Sequence, residues 1–263
     1  MKTLPAELTV ESLASSLELT VLQPDHTIED VEAACEEAVT NGYGAVCVAP
    51  YVVERAVARL KGSGVDVCGT VGIPLGYSGL AAKMNETRAV IESGASQVEV
   101  VINLVAMKRG RYVDARKEIE AIRELAAGAT LKVVLECCYL TDTEKAKACE
   151  YAREGGADCI VTNTGFGKGG ARARDIELLR RLVGDMEIKA AGGVASYKQV
   201  KKLYRVGATR IGSDRAVDIA LAIDVSGSML FPQHGGLVSD PDGDTPGNRP
   251  DARTASVCAA EKD

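Results

Sequence analysis

At 263 residues and 46% hydrophobic content, the chain can bury one large α/β core or two small ones. A net charge of −6 and a pI near 5.2 exclude the clustered Lys and Arg that a nucleic-acid backbone demands. No apolar run reaches the ~18 residues of a membrane span. The start, MKTLPAELTVESLASS, has no continuous apolar centre of the secretory kind, so the expected location is the cytoplasm. The eight cysteines are scattered and show no metal-ligand spacing with His, so they are expected to be reduced, small buried hydrophobes. With two histidines, His26 in a loop and His234 in the C-terminal stretch, neither His catalysis nor a His-rich metal site is expected, and no metal or cofactor is foreseen.

In chain order, a segment over 1–16 precedes LELTVL, the first apolar run of strand length. IEDVEAACEEAVT has helical periodicity, and GYGAVCVA and GVDVCGTVG follow as the second and third strands. SGASQVEVVIN supplies the fourth, and the helical DARKEIEAIRELAA leads to GATLKVVLE, the fifth. TEKAKACEYAREG is a helix before GADCIVTN, RARDIELLRRLV one before GDMEIKAAGG, and GATRIGS is the eighth strand. A glycine ahead of each later strand marks a helix ending in a left-handed turn. Eight βα units predict a single (β/α)8 barrel over 17–222, of the usual size. A doubly wound open sheet is the rival, but nothing marks a reversal of strand order, and the phosphate-type glycines come late. From 223 to 263, Pro, Gly, Asp and Ser dominate, so this stretch is expected to be a disordered tail, either a solvated terminus or a flap or partner contact.

Strand parity sorts the residues that face the barrel interior. Glu99, Val101 and Asn103 share a face, as do Lys132, Val134 and Glu136, then Cys159, Val161 and Asn163, and Glu187, Lys189 and Ala191. The first strand offers Glu18 and Thr20, and the second offers Ala45, Cys47 and Ala49; of the inward residues, Glu18, Thr20, Asn103, Glu136, Val161 and Asn163 are the candidates for binding substrate. An isolated charge in a packed strand is costly unless paired. Glu99, Lys132 and Lys189 are therefore expected to meet in one polar centre, either catalytic or a purely structural ion network. A lysine beside another cation or in a dry pocket has a lowered pKa, suited to imine or base chemistry, and nearby carboxylates can move protons. Cys47 is a further candidate nucleophile, although buried strand cysteines are generally inert.

Three glycine-rich turns follow the late strands: TGFGKGG, AAGGVAS and IGSDRA. Backbone N–H groups at such turns hold anions, and late-strand loops are the usual barrel site for phosphate. The candidates are Gly167, Lys168, Gly169, Gly192, Gly193, Gly212, Ser213 and Arg215.

Taken in order, LELTVLQPD, GAVCVAP, VGIPLG, VEVVIN, LKVVLECCYLTDTEKAKACE, GADCIVTNTGFGKGGA, IKAAGGV and GATRIGS resemble deoxyribose-phosphate aldolase, a class I aldolase family, over roughly residues 17–220. The resemblance implies a barrel with its site at the strand C-terminal ends, a small carbonyl substrate, phosphorylated in the family, and a homodimer. It also implies a Schiff-base lysine on strand six, a second lysine on strand seven that lowers its pKa, and a strand-four aspartate for proton transfer. Lys189 and Lys132 match the family's strand-seven and strand-five lysines, and Glu99 stands at the aspartate position. The strand-six motif, lysine-threonine-serine-threonine-glycine in the family, is Val161-Thr162-Asn163-Thr164-Gly165 here, so the imine-forming amine is missing. The early aspartate-histidine-threonine is Glu18-Leu19-Thr20, the asparagine-proline is Ala49-Pro50, and a usual basic residue is Ala195. A phosphate-holding serine pair is Ser213-Asp214, whose carboxylate repels a phosphate dianion, with Arg215 and Lys168 as partial compensation.

Three functions are compatible with this pattern. The first is a repurposed lyase-like barrel enzyme using Glu99, Lys132 and Lys189 for aldol, dehydration, isomerisation or cyclisation chemistry, in one version through an imine at Lys189, in a specialised biosynthetic setting. The second is a silent relative that binds a metabolite or an active subunit. The third is residual deoxyribose-phosphate cleavage.

Overall fold

The computed structural model describes residues 10–224, all within one compact unit. The predicted tail lies outside these residues except at its first two positions, as do His234 and the first nine residues. The segment expected before the barrel contains a short helix, α1 (Val10–Ala14).

Eight parallel strands close into a barrel in sequential order. They are β1 (Leu17–Val21), β2 (Ala45–Val48), β3 (Asp66–Val71), β4 (Gln97–Val101), β5 (Thr130–Val134), β6 (Cys159–Val161), β7 (Glu187–Ala190) and β8 (Arg210–Ser213). Between them run α2 (Ile28–Asn41), α3 (Val53–Leu60), α4 (Leu80–Glu92), α5 (Leu104–Lys108), α6 (Tyr112–Leu125), α7 (Asp142–Glu154), α8 (Ala173–Val183) and α9 (Tyr197–Arg205), and α10 (Ala216–Asp224) follows β8. Closure requires β1 to pair with β8, and it does so through Leu17↔Ile211 and Glu18↔Gly212. An open sheet is thereby excluded.

The local signals work as expected. At least one glycine of positive φ precedes each strand from β2 to β8, from 61° at Gly184 to 115° at Gly207, a region that favours a residue without Cβ. Thr27, Thr141 and Ser196 start α2, α7 and α9 with capping boxes, each satisfying amides that a helix start leaves unpaired.

Two apolar clusters divide the molecule. The larger packs outward strand residues such as Val46, Val98, Leu131, Ile160 and Ile188 against the helices. The smaller lies inside the barrel and contains Val101, Val134, Cys159, Val161 and Ala191, with Ile73 against it. A side-chain period of two lets one strand feed both clusters.

Candidate active site

Beneath the mouth of the barrel, Glu18, Glu99, Lys132 and Lys189 converge from four different strands, at most 3% exposed. Lys132 donates to Glu18 Oε1 at 2.5 Å, while Lys189 reaches Glu18 Oε2 at 2.7 Å and Glu99 Oε2 at 2.6 Å. Arg210 on β8 lies 3.3 Å from Glu18 Oε1 and 2.6 Å from Glu187. Glu18 is the hub, holding both lysines and the arginine. Lone charges here would be prohibitively desolvated, but opposite charges at hydrogen-bond distance offset the loss of water.

The electrostatics reverse one expectation. Burial pushes the Lys189 ammonium down, but Glu18 and Glu99 outweigh it and hold its pKa well above the ordinary lysine value. Lys132 is likewise raised, with Glu18 overcoming burial. Burial alone would raise the Glu18 carboxyl, yet Lys132 and Lys189 drive it far below the usual carboxylate range. A lowered lysine pKa, the property wanted for imine chemistry, is thus absent, because two carboxylates outweigh the second cation.

One step further along the same strands lies an apolar floor. Val101, Val134, Val161 and Ala191 stand two residues beyond Glu99, Lys132, Cys159 and Lys189, or roughly 6.6 Å up each strand. Val161 is fully buried and pairs in register with Lys189 and with Val134. Methyl groups therefore cover the charged layer at the point where the resemblance implies an amine.

The rim comes from the loops after β5, β6, β7 and β8. The turn at Gly165–Gly170 packs against the β7 loop so closely that a Cβ on Gly170 would sit 2.4 Å from the Gly192 carbonyl oxygen. Gly165, Gly192 and Gly193 have positive φ, whereas Gly167 and Gly169 do not. Lys168 stacks over the Tyr139 ring at 5.0 Å. Ser213 Oγ donates to the Val194 carbonyl at 2.5 Å and accepts from Arg215 N–H, and the Arg215 guanidinium is 2.6 Å from Asp218. Of the expected anion ligands, then, Ser213 and Arg215 are engaged within the protein, and Asp214 is exposed beside them.

The remaining candidates separate cleanly. Thr20 is half-buried on β1 opposite Cys47. Cys47 is fully buried, and its thiol is pushed well above the ordinary value by the Cys68 thiol and by burial, which disfavours a nucleophilic thiolate. Asn103 is committed to capping α5, accepting from Ala106 N–H at 3.0 Å and donating to Glu118 at 3.4 Å. Glu136 and Asn163 lie just past β5 and β6, both buried. Glu136 has φ 54° and ψ 58°, the sole positive-φ residue other than glycine among the described residues. Arg210 and Cys68 were missed by sequence reasoning, although the inward parity of their strands marks both.

Cys47, Cys68 and Glu99 bring ligand atoms within 4.8 Å of one another, a grouping that linear spacing hides. The Lys189 ammonium beside Glu99 and the protonated Cys47 thiol both oppose a cation there. The fit to a metal is poor. The other described cysteines are free, and the Cys159 thiol is pushed up to about 12 by burial. No helix among the described residues is long and apolar enough to cross a membrane.

The model of the DeoC/LacD family aldolases matches residues 6–225. A deoxyribose-phosphate aldolase of Aciduliprofundum boonei is 42% identical over 218 residues, covering 81% of this chain and 97% of that protein. The Thermococcus gammatolerans enzyme of the same name is 43% identical over 212 residues, with 79% and 94% covered. Among solved structures, the tetrameric deoxyribose phosphate aldolase of Aeropyrum pernix superposes with a TM-score of 0.78 at 30% identity, covering 82% of this chain and 92% of its own.

Proposed function

Because the chain belongs to the DeoC/LacD aldolase family, we propose that it makes or breaks a carbon–carbon bond beside a carbonyl, on a compound of the deoxyribose-phosphate kind, without an imine at position 161. The observation carrying this reading is the Lys189 ammonium, in register with Val161 and clamped by Glu18 and Glu99 at 2.7 and 2.6 Å. In this arrangement Lys189 and Glu99 are the proton-moving pair nearest the pocket floor, and Glu18 keeps both lysines charged. A protonated Lys189 is a hydrogen-bond donor for developing negative charge rather than a resting nucleophile. An imine at Lys189 would need that ammonium to lose its proton against two carboxylates, so the geometry favours the acid–base role. Assembly as a homodimer belongs to the same reading and is checked by light scattering.

A second reading is favoured by one observation, the burial of all four charged groups beneath valine methyls. On this reading the barrel is silent and binds a metabolite or an active subunit.

Acetaldehyde release from 2-deoxyribose 5-phosphate separates the two. The expected result is slow turnover by the natural chain, abolished in Lys189→Met, with no borohydride adduct at either 161 or 189. A borohydride adduct at Lys189 would replace the acid–base mechanism with the imine version. Absence of turnover across a panel of aldehydes, together with a co-purifying active relative, would favour the silent barrel. Val161→Lys then tests the site itself: a large gain means the surrounding groups remain competent, and no gain means the site has been rebuilt.

A further inference from the structure

We infer that Lys83, behind the barrel wall on α4, is a positioning residue: with Glu86 and Glu118 it clamps the loop after β3 onto Val101, and so sets the apolar floor beside Glu99. The inference rests on the proposed acid–base site, which lies under that floor.

The ladder between β3 and β4 ends at Val71↔Val100. Just beyond it, the Gly72 N–H and the Val101 carbonyl are taken up by two side chains one turn apart on α4. Gly72 N–H donates to Glu86 Oε2 at 2.6 Å, and Lys83 Nζ donates to the Val101 carbonyl at 2.7 Å. Left unpaired, buried backbone groups of this kind cost as much as a lost hydrogen bond. Lys83 also reaches Glu118 Oε1 on α6 at 2.6 Å, and Glu118 Oε2 accepts from Asn103 Nδ2 at 3.4 Å. Asn103 in turn caps α5. One buried ammonium thereby joins the end of β4 to the cap of α5 and, through α4, to the start of the β3 loop.

That loop is part of the floor. Ile73 packs against the interior cluster that contains Val101, Val134 and Val161. Gly76 N–H donates to the Gly72 carbonyl at 2.8 Å, and both glycines have φ 66°. A Cβ on Gly76 would lie 2.6 Å from Val101 Cγ1 and from the Ile102 carbonyl oxygen. One on Gly72 would lie 3.0 Å from Lys83 Cε. The loop is thus pressed between Val101 above β4 and the stem of Lys83 behind it.

Stability alone does not account for the charge. A buried ion pair between two helices is often no more stabilising than apolar side chains of the same volume. Such a pair of apolar residues could not donate to the Val101 carbonyl, however. Val101 stands two residues beyond Glu99 on the same face of β4, so a shift at the strand's end moves the floor and the partner of Lys189 together.

The test uses the full-length chain carrying Lys83→Met and Glu118→Leu together, which removes both charges and the donor to Val101 while filling the space. By NMR-detected hydrogen exchange, the Gly76 amide is expected to exchange at least about tenfold faster than in the natural chain, with the amides of β6 unchanged. Cleavage of 2-deoxyribose 5-phosphate is expected to lose at least about tenfold in kcat with KM within about twofold, because the displaced groups serve the reacting carbonyl. Glu86→Leu, which frees only the Gly72 N–H, should give the same pattern in milder form, and Glu86→Gln, which keeps an acceptor, should restore the natural values. If the double variant does not melt cooperatively, the two Glu86 variants decide. Unchanged exchange at Gly76 overturns the clamp, as does faster exchange with unchanged kcat. A lower melting temperature with exchange raised uniformly and kcat unchanged means a structural ion pair only, which also overturns it. Absence of turnover in the natural chain sinks the proposed function alone. The clamp is then judged by Gly76 exchange and by the Val101 methyl resonances, which must shift in the double variant if the floor moves and overturn the clamp if they do not.

Discussion

Replacing Glu18 by Gln removes the hub charge while keeping the side chain's shape. Glu18 Oε1 holds Lys132 at 2.5 Å and Oε2 holds Lys189 at 2.7 Å, with Arg210 at 3.3 Å. The variant leaves Glu99 alone to balance two buried ammonium groups. Removing one partner of a buried pair costs about 3–5 kcal/mol, because the other charge stays desolvated. Against a total stability of about 5–15 kcal/mol this is a large loss. For a domain of this size it corresponds to a fall in Tm of roughly 6–20 °C, taking ~2–4 °C per kcal/mol. Heat and urea unfolding at pH 7 measure it directly. The pH dependence supplies a sign. The folded pKa of Glu18 lies below its unfolded value of about 4.3, so its stabilisation is present above that value and is lost as pH falls through the folded one. The gap between the two proteins should therefore persist from about pH 5 to 8 and narrow on acidification below about pH 4. Glu18→Gln combined with Lys132→Met should recover part of the loss, since the stranded cation is gone. A variant melting within about 2 °C of the natural protein at pH 7 would refute the hub assignment.

Three further outcomes follow from the geometry. Gly170→Ala would place a Cβ 2.4 Å from the Gly192 carbonyl, prying apart the β6 and β7 loops; about 1–3 kcal/mol of stability should be lost in urea unfolding. Thr141→Ala removes the side-chain half of the capping box of α7 and should cost about 1 kcal/mol by the same measurement. The folded pKa of Glu136 is raised, so its contribution is fully present below the unfolded carboxylate pKa and is lost as pH rises through the folded value. Urea unfolding of the natural chain at a series of pH values should show this decline as pH rises from the ordinary carboxylate range, and Glu136→Gln should lack it.

Much of the fold is legible in local patterns. Glycines that end helices, Val- and Ile-rich runs and capping residues act within a few positions of themselves, so eight βα units can be counted along the chain. Parity, equally local, assigns Glu99, Lys132 and Lys189 to one interior, where they are found. Other features depend on closure. Glu18 and Lys132 are 114 residues apart, and Glu18 and Arg210 are 192 apart, so nothing local marks Glu18 as their common partner. The same holds outside the barrel interior, where Lys83 on α4 and Glu118 on α6 form a buried pair at 2.6 Å.

The sequence by itself determined the order of elements, the inward residues and the valine at 161, since each is set by chain-local periodicity or identity. Only the tertiary structure decided the sign of the lysine pKa shifts, the valine floor over the charged layer, the capping duty of Asn103 and the bond from Lys83 to the Val101 carbonyl. These are balances among groups brought together by strand stagger and barrel closure. A net electrostatic shift depends on which opposite charge comes within hydrogen-bond distance, and only the closed barrel sets that distance.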